Sequence, residues 1–416
     1  MAGGLIQLVA QGAESMYLTG NPQMSYFKCV YKRHTNFSTE YIEELFDKSA
    51  DFGRTSHCKI GRNADLIRNI YIRTELPALK QDVSSSTWVG YGNGIGNLLL
   101  KEVSVDIGGQ IMDKHDSNWL DIWNNLTRRD SSYDIMVGNY ETEYSLRTNA
   151  TTSKTYFTPL NFWFNRYTCC ALPLISIQYQ EVIITTTFRN ADECIKSDVS
   201  ITTPLDSDGN TLSITNSSLM VEYIFIDTIE RRRFANNSHE YLIDQLQIQT
   251  ETIDANDTQV SINLNLFHPV KEIFWIIQKT TNITPADSSN GNNILTYSNT
   301  TDVMGENEMF TNSRLLLNGK PRYGERNAKF FRLVQPHKSH SYIPDKYIYC
   351  YSFSLNPEKY QPSGACNFGR INVSELEIKF DSNSTYFTSE KTIKIYATSY
   401  NIFRVQSGMG GVVFSN

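Results

Sequence analysis

The chain has 416 residues, of which 40% are apolar and 20% charged, so it is long enough for two or three domains and is not a disordered protein. Aromatic residues make up 12%, with 24 Tyr and 21 Phe, which favours β-structure. The formal net charge of −6 excludes a protein that coats nucleic acid by bulk charge, because phosphate binding needs a basic surface.

The seven cysteines indicate neither a disulfide framework nor a zinc site, because their number is odd and no Cys-x-x-Cys pair occurs. We therefore expect reduced, mostly buried thiols. The N-terminal MAGGLIQLVAQGAE lacks the basic region of a signal peptide. No run approaches the roughly 18 apolar residues of a membrane span. These features predict a chain that is made and folded in the cytoplasm.

Alternation of apolar and polar residues predicts short strands from end to end of the chain. Clear examples are Val103–Ile107, Val182–Phe188, Leu246–Ile248, Ile262–Leu266 and Leu376–Phe380. Gly108–Gly109 predicts a tight turn, and Asp208–Gly209 predicts a hairpin that joins Ser200–Thr203 to Thr211–Thr215. Many short strands with frequent turns indicate sandwiches or barrels.

Helical periodicity is sparse. In Ser117–Leu126 apolar residues recur at i, i+3, i+4 and i+7, and Asp116 or Ser117 can cap the helix. Glu325–Val334 is a second, shorter candidate. We interpret both as excursions between strands.

The chain is about twice as long as one eight-stranded sandwich, and the charged stretch Asp227–Glu240 is a natural boundary. The predicted fold class is therefore all-β, with two tandem antiparallel sandwiches and a few short inserted helices. The predicted parts are an N-terminal arm (1–25), a first sandwich (26–226), a linker (227–240) and a second sandwich (241–416).

Catalytic motifs are not recognisable: the sequence holds no GxSxG elbow, no HExxH and no Walker motif. Gly90–Gly96 contains four glycines, but a phosphate loop feeds a helix, and here the strand Leu98–Ile107 is expected to follow, so we favour a flexible loop. His337 and His340 lack a third ligand and are interpreted as loop histidines. The basic run Arg231–Arg233 is interpreted as a solvated linker face. We predict no enzyme, no metal and no cofactor.

The most distinctive segment is Ile348–Ile371, IYCYSFSLNPEKYQPSGACNFGRI. An apolar run, Ile348–Leu355, predicts a strand and is followed by a rigid loop with two prolines and two glycines. A further strand is predicted at Ser374–Phe380. The segment offers no nucleophile, base or metal ligand, so its information concerns folding and packing.

Four segments together resemble the major capsid proteins of nucleocytoplasmic large DNA viruses, in register from Met1 to Asn416. These segments are Leu8–Phe37, Pro159–Phe188, Tyr223–Gln247, and Ile348–Ile371 extended through Ile395–Gly411. Three stretches outside them have the composition of surface loops: Lys80–Asn97, Gly138–Tyr156 and Thr280–Asn307.

The resemblance implies a double jelly roll, in which two eight-stranded antiparallel sandwiches stand side by side. It implies a homotrimer of pseudo-hexagonal outline that tiles an icosahedral virion shell assembled in the host cytoplasm. The implied partners are neighbouring capsomers, minor capsid and penton proteins and, indirectly, an internal membrane, with no direct contact to nucleic acid. The short linker would lock the two sandwiches together.

Two segments, Pro159–Leu174 and Asn356–Ile371, are predicted to lie at the trimer interface or to brace it, because they are rich in Pro, Trp, Phe and Arg outside clear strands. The candidate residues in these segments and the linker are Trp163, Arg166, Pro173, Arg233, Pro362 and Arg370. The N-terminal arm is predicted to lie at the base of the capsomer.

Other functions stay open from the sequence alone. Surface loops rich in Tyr, Asn and Thr are compatible with binding of host glycans, either in a capsid or in a separate jelly-roll surface protein. A minor capsid paralogue and a metal-dependent jelly-roll enzyme are further alternatives.

Overall fold

The computed structural model describes residues 3–81, 88–128, 130–140, 142–199, 201, 203–283, 292–298, 308–382 and 387–414. The chain forms two compact units, Met1–Asn36 and Phe37–Asn416.

The first unit contains two short helices, α1 (Gly3–Val9) and α2 (Ala13–Thr19), and neither holds a buried residue. Its large apolar side chains are exposed, among them Tyr17, Leu18, Phe27, Val30 and Tyr31, each more than four-fifths exposed. No described helix of the chain is long and apolar enough to cross a bilayer.

The first half of the second unit is a sandwich, here called the first sandwich. Its strands are β1 (Phe37–Leu45), β2 (Thr55–Lys59), β3 (Leu66–Leu76), β4 (Val89–Tyr91), β5 (Leu100–Ile107), β6 (Gln110–Asp116), β7 (Lys154–Pro159), β8 (Val182–Phe188), β9 (Ile195–Ser197) and β10 (Asn216–Ile226). The described strands form antiparallel sheets in the orders β1-β10-β3-β7 and β2-β8-β5-β6, with β4 and β9 as a separate pair.

The second half forms the second sandwich. Its strands are β11 (His239–Ile253), β12 (Gln259–Asn263), β13 (Pro269–Lys279), β14 (Asn312–Leu317), β15 (Lys320–Pro321), β16 (Arg326–Asn327), β17 (Tyr349–Ser352), β18 (Cys366–Asn367), β19 (Ser374–Lys379), β20 (Lys391–Gln406) and β21 (Met409–Val412). One described sheet has the order β11-β20-β13-β17, with β18 on β13 and β21 on β20. The other has the order β12-β19-β14-β15, with β16 on β14.

Helices lie between the strands, as expected. They are α3 (Ile95–Leu99), α4 (Ser117–Thr127), α5 (Ser131–Val137), α6 (Glu143–Ala150), α7 (Trp163–Arg166), α8 (Thr228–Asn236), α9 (Thr280–Ile283) and α10 (Gln335–Ser339), with a π-helical turn at Phe330–Val334 and 3-10 turns at Thr168–Cys170, Asp192–Cys194 and Phe368–Arg370.

The strands follow the alternation in the sequence. Val182, Ile184, Thr186 and Phe188 of β8 are buried, while the alternate residues Ile183, Thr185 and Thr187 are only partly covered. The turn between β5 and β6 has both glycines at positive φ, 64° and 86°, and the carboxylate of Asp106 accepts a bond from the main-chain N–H of Gly109 at 2.7 Å. These predicted strands and this turn are confirmed.

The predicted strand at Ile262–Leu266 is confirmed only in part, because β12 ends at Asn263. The predicted hairpin at Asp208–Gly209 is likewise confirmed only in part. Asp206 closes the turn by accepting from the main-chain N–H groups of Asp208 and Asn210, but only one isolated bridge, Leu205 to Thr211, follows it. Residues 200 and 202 of the expected first strand lie outside the described residues.

The glycine-rich stretch differs from the expectation of a flexible loop that enters a strand at Leu98. Residues 88–99 are buried except for half-buried Asn93, and α3 lies before the strand, which begins at Leu100. A Cβ at Gly96 would lie 3.1 Å from the main chain of Val137, so this glycine permits close packing of α3 on α5.

Two of the three expected surface loops can be compared with the structure. Much of Lys80–Asn97 is buried, as just described, and Gly138–Tyr156 contains α6 and ends in Tyr156, which is buried against the first core. Most of Thr280–Asn307 lies outside the described residues.

The helix predicted at Ser117–Leu126 is confirmed as α4, with the Asp116 carboxylate accepting from the main-chain N–H of Trp119 at 2.8 Å. The helix predicted at Glu325–Val334 is confirmed only in part. Arg326–Asn327 pairs with β14 as a short strand, and the helical backbone begins at Ala328, passes through the π-helical turn Phe330–Val334 and continues into α10.

The segment Ile348–Ile371 has a shorter strand than predicted, Tyr349–Ser352, followed by a packed loop. The Ser354 and Ser363 hydroxyls lie 2.6 Å apart and close the loop at its base. Gly364 has φ +131°, and a Cβ there would lie 2.8 Å from the carbonyl oxygen of Phe353. These two contacts hold the two sides of the loop together at its base, and the rigidity of the loop stays a prediction.

All seven cysteines are free thiols. Cys58, Cys170, Cys194 and Cys350 are buried, whereas Cys29 and Cys169 are exposed. Burial raises the pKa of Cys58 and of Cys194 to about 12, so both stay protonated at neutral pH.

Candidate assembly site and the seam between the sandwiches

The six residues predicted for assembly divide into a buried and an exposed group. The buried side chains are Trp163, Arg166 and Pro173. The exposed residues are Arg233, Pro362 and Arg370. The buried group acts inside one chain, and only the exposed group presents surface to another molecule.

Arg166 links the two sandwiches. Its Nε donates to the main-chain oxygen of Asn161 at 2.7 Å, and its guanidinium lies 4.3 Å from the ring of Trp123. Its Nη1 lies 3.5 Å from the carboxylate of Asp244 on β11, which also accepts from Lys271 Nζ at 2.8 Å. The side chains of Arg166 and Asp244 are each only 6% exposed, so this contact fixes α7 against the second sandwich.

Helix α4 belongs to the first sandwich in sequence but packs in the core of the second. Trp119 lies 5.5 Å from Phe274 on β13 and 5.8 Å from Tyr396 on β20, measured between ring centres. The helix residues in this core are Trp119, Ile122, Trp123 and Leu126. Strand β13 is accordingly buried along nearly its whole length, because α4 covers one face and the sandwich core the other.

Two acidic residues pin this helix. Asp121 accepts from Lys346 Nζ at 2.7 and 2.8 Å and from the hydroxyl of Tyr297 at 2.9 Å. Asp116 accepts from Lys394 Nζ at 3.2 Å. Buried ion pairs lose much of their attraction to desolvation, so their main effect is to fix the position of α4. We call this contact between α4, α7 and the second sandwich the seam.

The linker expected to lock the sandwiches together contains α8. Within the basic run Arg231–Arg233, Arg231 pairs with Asp65 of the first sandwich at 3.0 Å, and Ser176 donates to the main-chain oxygen of Phe234 at 2.6 Å. The run is exposed, as expected of a solvated face, but the buried contacts between the sandwiches lie at the seam.

His340 is not a loop histidine, contrary to the expectation from sequence. Its Nε2 lies 3.2 Å from Glu272 on β13, and its Nδ1 lies 3.1 Å from Glu358 in the loop after β17. Burial alone would lower the pKa of His340, but Glu272, a hydrogen bond with Cys350 and Glu358 together raise it well above its usual value. Glu358 also accepts from the main-chain N–H of Ser341 at 2.8 Å. The charged imidazole of His340 therefore holds the loop after β17 against β13, and we call this arrangement the clamp.

His337, by contrast, is exposed, but it lies in α10 and not in the predicted loop. Among the residues that the structure describes, no group of three or more His, Cys, Asp or Glu side chains has an arrangement that could hold a metal ion.

Sequence reasoning missed the seam because its partners are far apart in the chain. The apolar face of α4 was recognisable, but periodicity shows only that a face is buried and not which core receives it. Asp121 and Lys346 are separated by 225 positions, and no local pattern connects them.

The two halves of the chain match the models of known protein families. Residues 25–227 match the model for the major capsid protein N-terminus, and residues 230–411 match that for the large eukaryotic DNA virus major capsid protein. The chain is 37% identical to the major capsid protein of Pyramimonas orientalis virus and 36% identical to that of Paramecium bursaria Chlorella virus 1, in each case over 100% of both chains.

Solved structures of viral capsid proteins have the same fold as this chain. A chain of the PBCV-1 capsid superimposes with a TM-score of 0.77 at 30% identity, covering 94% of this chain and 100% of that one. The Faustovirus major capsid protein has the same fold, with a TM-score of 0.74 at 15% identity over 95% and 94% of the two chains. The predicted double jelly roll is confirmed, and copies of such a chain associate with one another in a capsid lattice. The chain therefore belongs to the major capsid proteins of large eukaryotic DNA viruses, which are structural, non-enzymatic proteins of the icosahedral virion shell.

Proposed function

We propose that three copies of the chain form a capsomer with a pseudo-hexagonal outline and that these capsomers tile the shell. The observation that carries the proposal is the seam. Because α4 of the first sandwich is buried in the core of the second, each chain presents two sandwiches as one body. Three such bodies around a threefold axis supply six similar lobes.

The proposal keeps the four-part organisation of arm, first sandwich, linker and second sandwich. In its support, the named strands β1–β10 pair among themselves, and so do β11–β21, within the described residues. A closed ring of three needs two different complementary patches on each chain. We assign the exposed Arg233, Pro362 and Arg370 to such patches and the buried Trp163, Arg166 and Pro173 to bracing them.

This assignment predicts that Arg370→Ala reduces the trimer fraction in sedimentation velocity while the thermal midpoint of the dissociated chain stays within about 1 °C. Arg166→Ala should instead lower the thermal midpoint, because it removes a buried ion pair and its stacking on Trp123. A suitable control is Arg404→Ala, at an exposed ion pair with Glu240. Trimers and midpoints unchanged in both test variants would reject the assignment.

The N-terminal arm is assigned to the base of the capsomer, toward minor capsid proteins and an internal membrane. The support is its row of exposed apolar side chains, since large exposed apolar surface marks an interaction site. Deleting residues 1–25 should leave the soluble trimer intact but reduce shell formation in a co-expression assembly assay. Loss of the soluble trimer itself would contradict this placement.

The remaining partners, neighbouring capsomers and penton proteins, would contact the rim of the trimer, and nucleic acid would have no direct contact with it. The net charge of −6 supports the last point.

A further inference from the structure

A cavity of about 230 Å³ lies beside Arg166, where β3, the end of α4 and the segment 159–167 meet. Glu358 of the second sandwich also lines it. The volume is below the roughly 300–1,000 Å³ of pockets that hold drug-sized organic ligands. It has room for a small ion and its water.

The cavity carries an excess of positive charge. Arg68, Arg128 and Arg166 all line it. Among the described residues, no carboxylate lies within ion-pair distance of Arg68 or Arg128, and Arg166 shares the single carboxylate of Asp244 with Lys271. Arginine presents several N–H donors in a planar fork that suits oxyanions.

Two buried donors in the lining also lack a partner. The side-chain Nδ2 of Asn161 and the Nε of Arg68 make no hydrogen bond in the described structure. Asn161 is only 9% exposed, and its main-chain oxygen is held by Arg166, so the residue is fixed in place. An unsatisfied buried donor costs about 1–3 kcal/mol and is uncommon in folded proteins.

The one acidic residue among those that line the cavity does not cancel this charge. The carboxylate of Glu358 is already engaged by Nδ1 of His340 at 3.1 Å and by the main-chain N–H of Ser341 at 2.8 Å. Its acceptors are therefore directed to the clamp described above, and the arginines remain available.

We propose that this cavity binds a compact oxyanion of the phosphate or sulfate class, held by the guanidinium groups of Arg68 and Arg128 and by the side-chain amide of Asn161. Bound there, the anion joins β3 to the end of α4 and to the segment before α7. It therefore fastens the first sandwich to the helix that fills the core of the second, and it stabilises the seam.

The test is a titration of the purified full-length protein with inorganic phosphate, following the thermal midpoint, with sodium chloride at matched ionic strength as reference. A ligand that binds only the folded state raises the midpoint in a saturable manner. We expect such a rise with phosphate and not with chloride. In Arg68→Gln and in Asn161→Asp, the apparent Kd should rise by roughly tenfold or more, because each change removes a donor or adds a repelling charge.

The matched control is Arg73→Gln on the same strand, β3, whose guanidinium pairs with Glu43 at 3.1 Å and does not line the cavity. It should keep the wild-type response to phosphate. If Asn161→Asp does not fold, Arg128→Gln at the exposed rim gives the same test. Equal responses to phosphate and chloride, or a wild-type phosphate response in the cavity variants, would overturn the proposal.

Discussion

Single charged residues in the interior of this β protein are concentrated where its two sandwiches meet. A buried charge is costly unless it is paired, and here Arg166, Asp244 and Lys271 form one group while His340 lies between two carboxylates. The first group ties α7 to a strand of the second sandwich, and His340 ties the loop after β17 to β13 within that sandwich. Their effect is positional, because each group is satisfied only when these elements lie in place.

His340 makes stability depend on pH in a defined direction. Its folded-state pKa lies well above the value near 6.5 of the unfolded chain, so its contribution is complete below about pH 6.5. Above that pH the unfolded chain releases the proton and the folded chain keeps it. The contribution therefore falls by about 1.4 kcal/mol per pH unit until the folded-state pKa is reached.

The measurement compares thermal midpoints of the wild type and His340→Gln at several pH values. We expect the variant to be less stable near pH 6 and the difference to shrink as the pH rises toward 9. Burial alone would raise the pKa of Glu358, but its bonds from His340 and Ser341 lower it below the usual value, so protonation weakens the clamp only at acidic pH. His337→Gln, three positions away and exposed, should show no such trend. A difference that is constant or grows with pH would show that His340 is not charged in the folded protein.

At the scale of elements, α4 explains why the two sandwiches act as one body. Four of its five apolar residues enter the core of the second sandwich, and Asp116 and Asp121 fix its N-terminal end and its middle. A strand such as β13, buried on both faces, has a near-continuous apolar run because neither side meets water. The linker was predicted to lock the two sandwiches together, but the buried contacts that join them are made by α4.

Trp119→Ala should lower the free energy of unfolding by roughly 3–5 kcal/mol, because it leaves a cavity between α4 and the second sandwich. Denaturant unfolding followed by circular dichroism measures this without relying on tryptophan fluorescence. The control is Ile135→Ala on α5, where the side chain is 70% exposed and the expected change is within about 0.5 kcal/mol. If the two variants lost equally little stability, α4 would not be the element that joins the sandwiches.

Elements whose signal is local were predictable from the sequence. Alternation located strands such as Val182–Phe188, and the cap and periodicity located α4. What could not be predicted depends on contacts distant in sequence: the core that receives α4, the burial of His340 and the packing of the glycine-rich stretch around α3. The helix expected at Glu325–Val334 begins three residues later than predicted, because pairing of Arg326–Asn327 with β14 outweighs local periodicity there. The sequence showed that the six candidate site residues lie in segments of unusual composition. It did not show which of the six side chains are exposed.

At the scale of the whole molecule, Phe37–Asn416 forms one compact unit that contains both sandwiches, and Met1–Asn36 forms another. The two sandwiches are similar in architecture, because the described strands of each form two main antiparallel sheets, two of four strands in the first sandwich and one of six and one of five strands in the second. In the trimer that we propose, this similarity within one chain would let a threefold assembly imitate a sixfold one. A hexagonal outline is the shape that tiles the flat facets of a large icosahedral shell.

The most direct test of this account is the number of chains in one hexagonal capsomer, obtained from sedimentation mass and negative-stain images of the same sample. We expect a mass near three times 47.6 kDa and a hexagonal outline with six lobes. A stable monomer, or a hexagonal particle built from six chains, would contradict it.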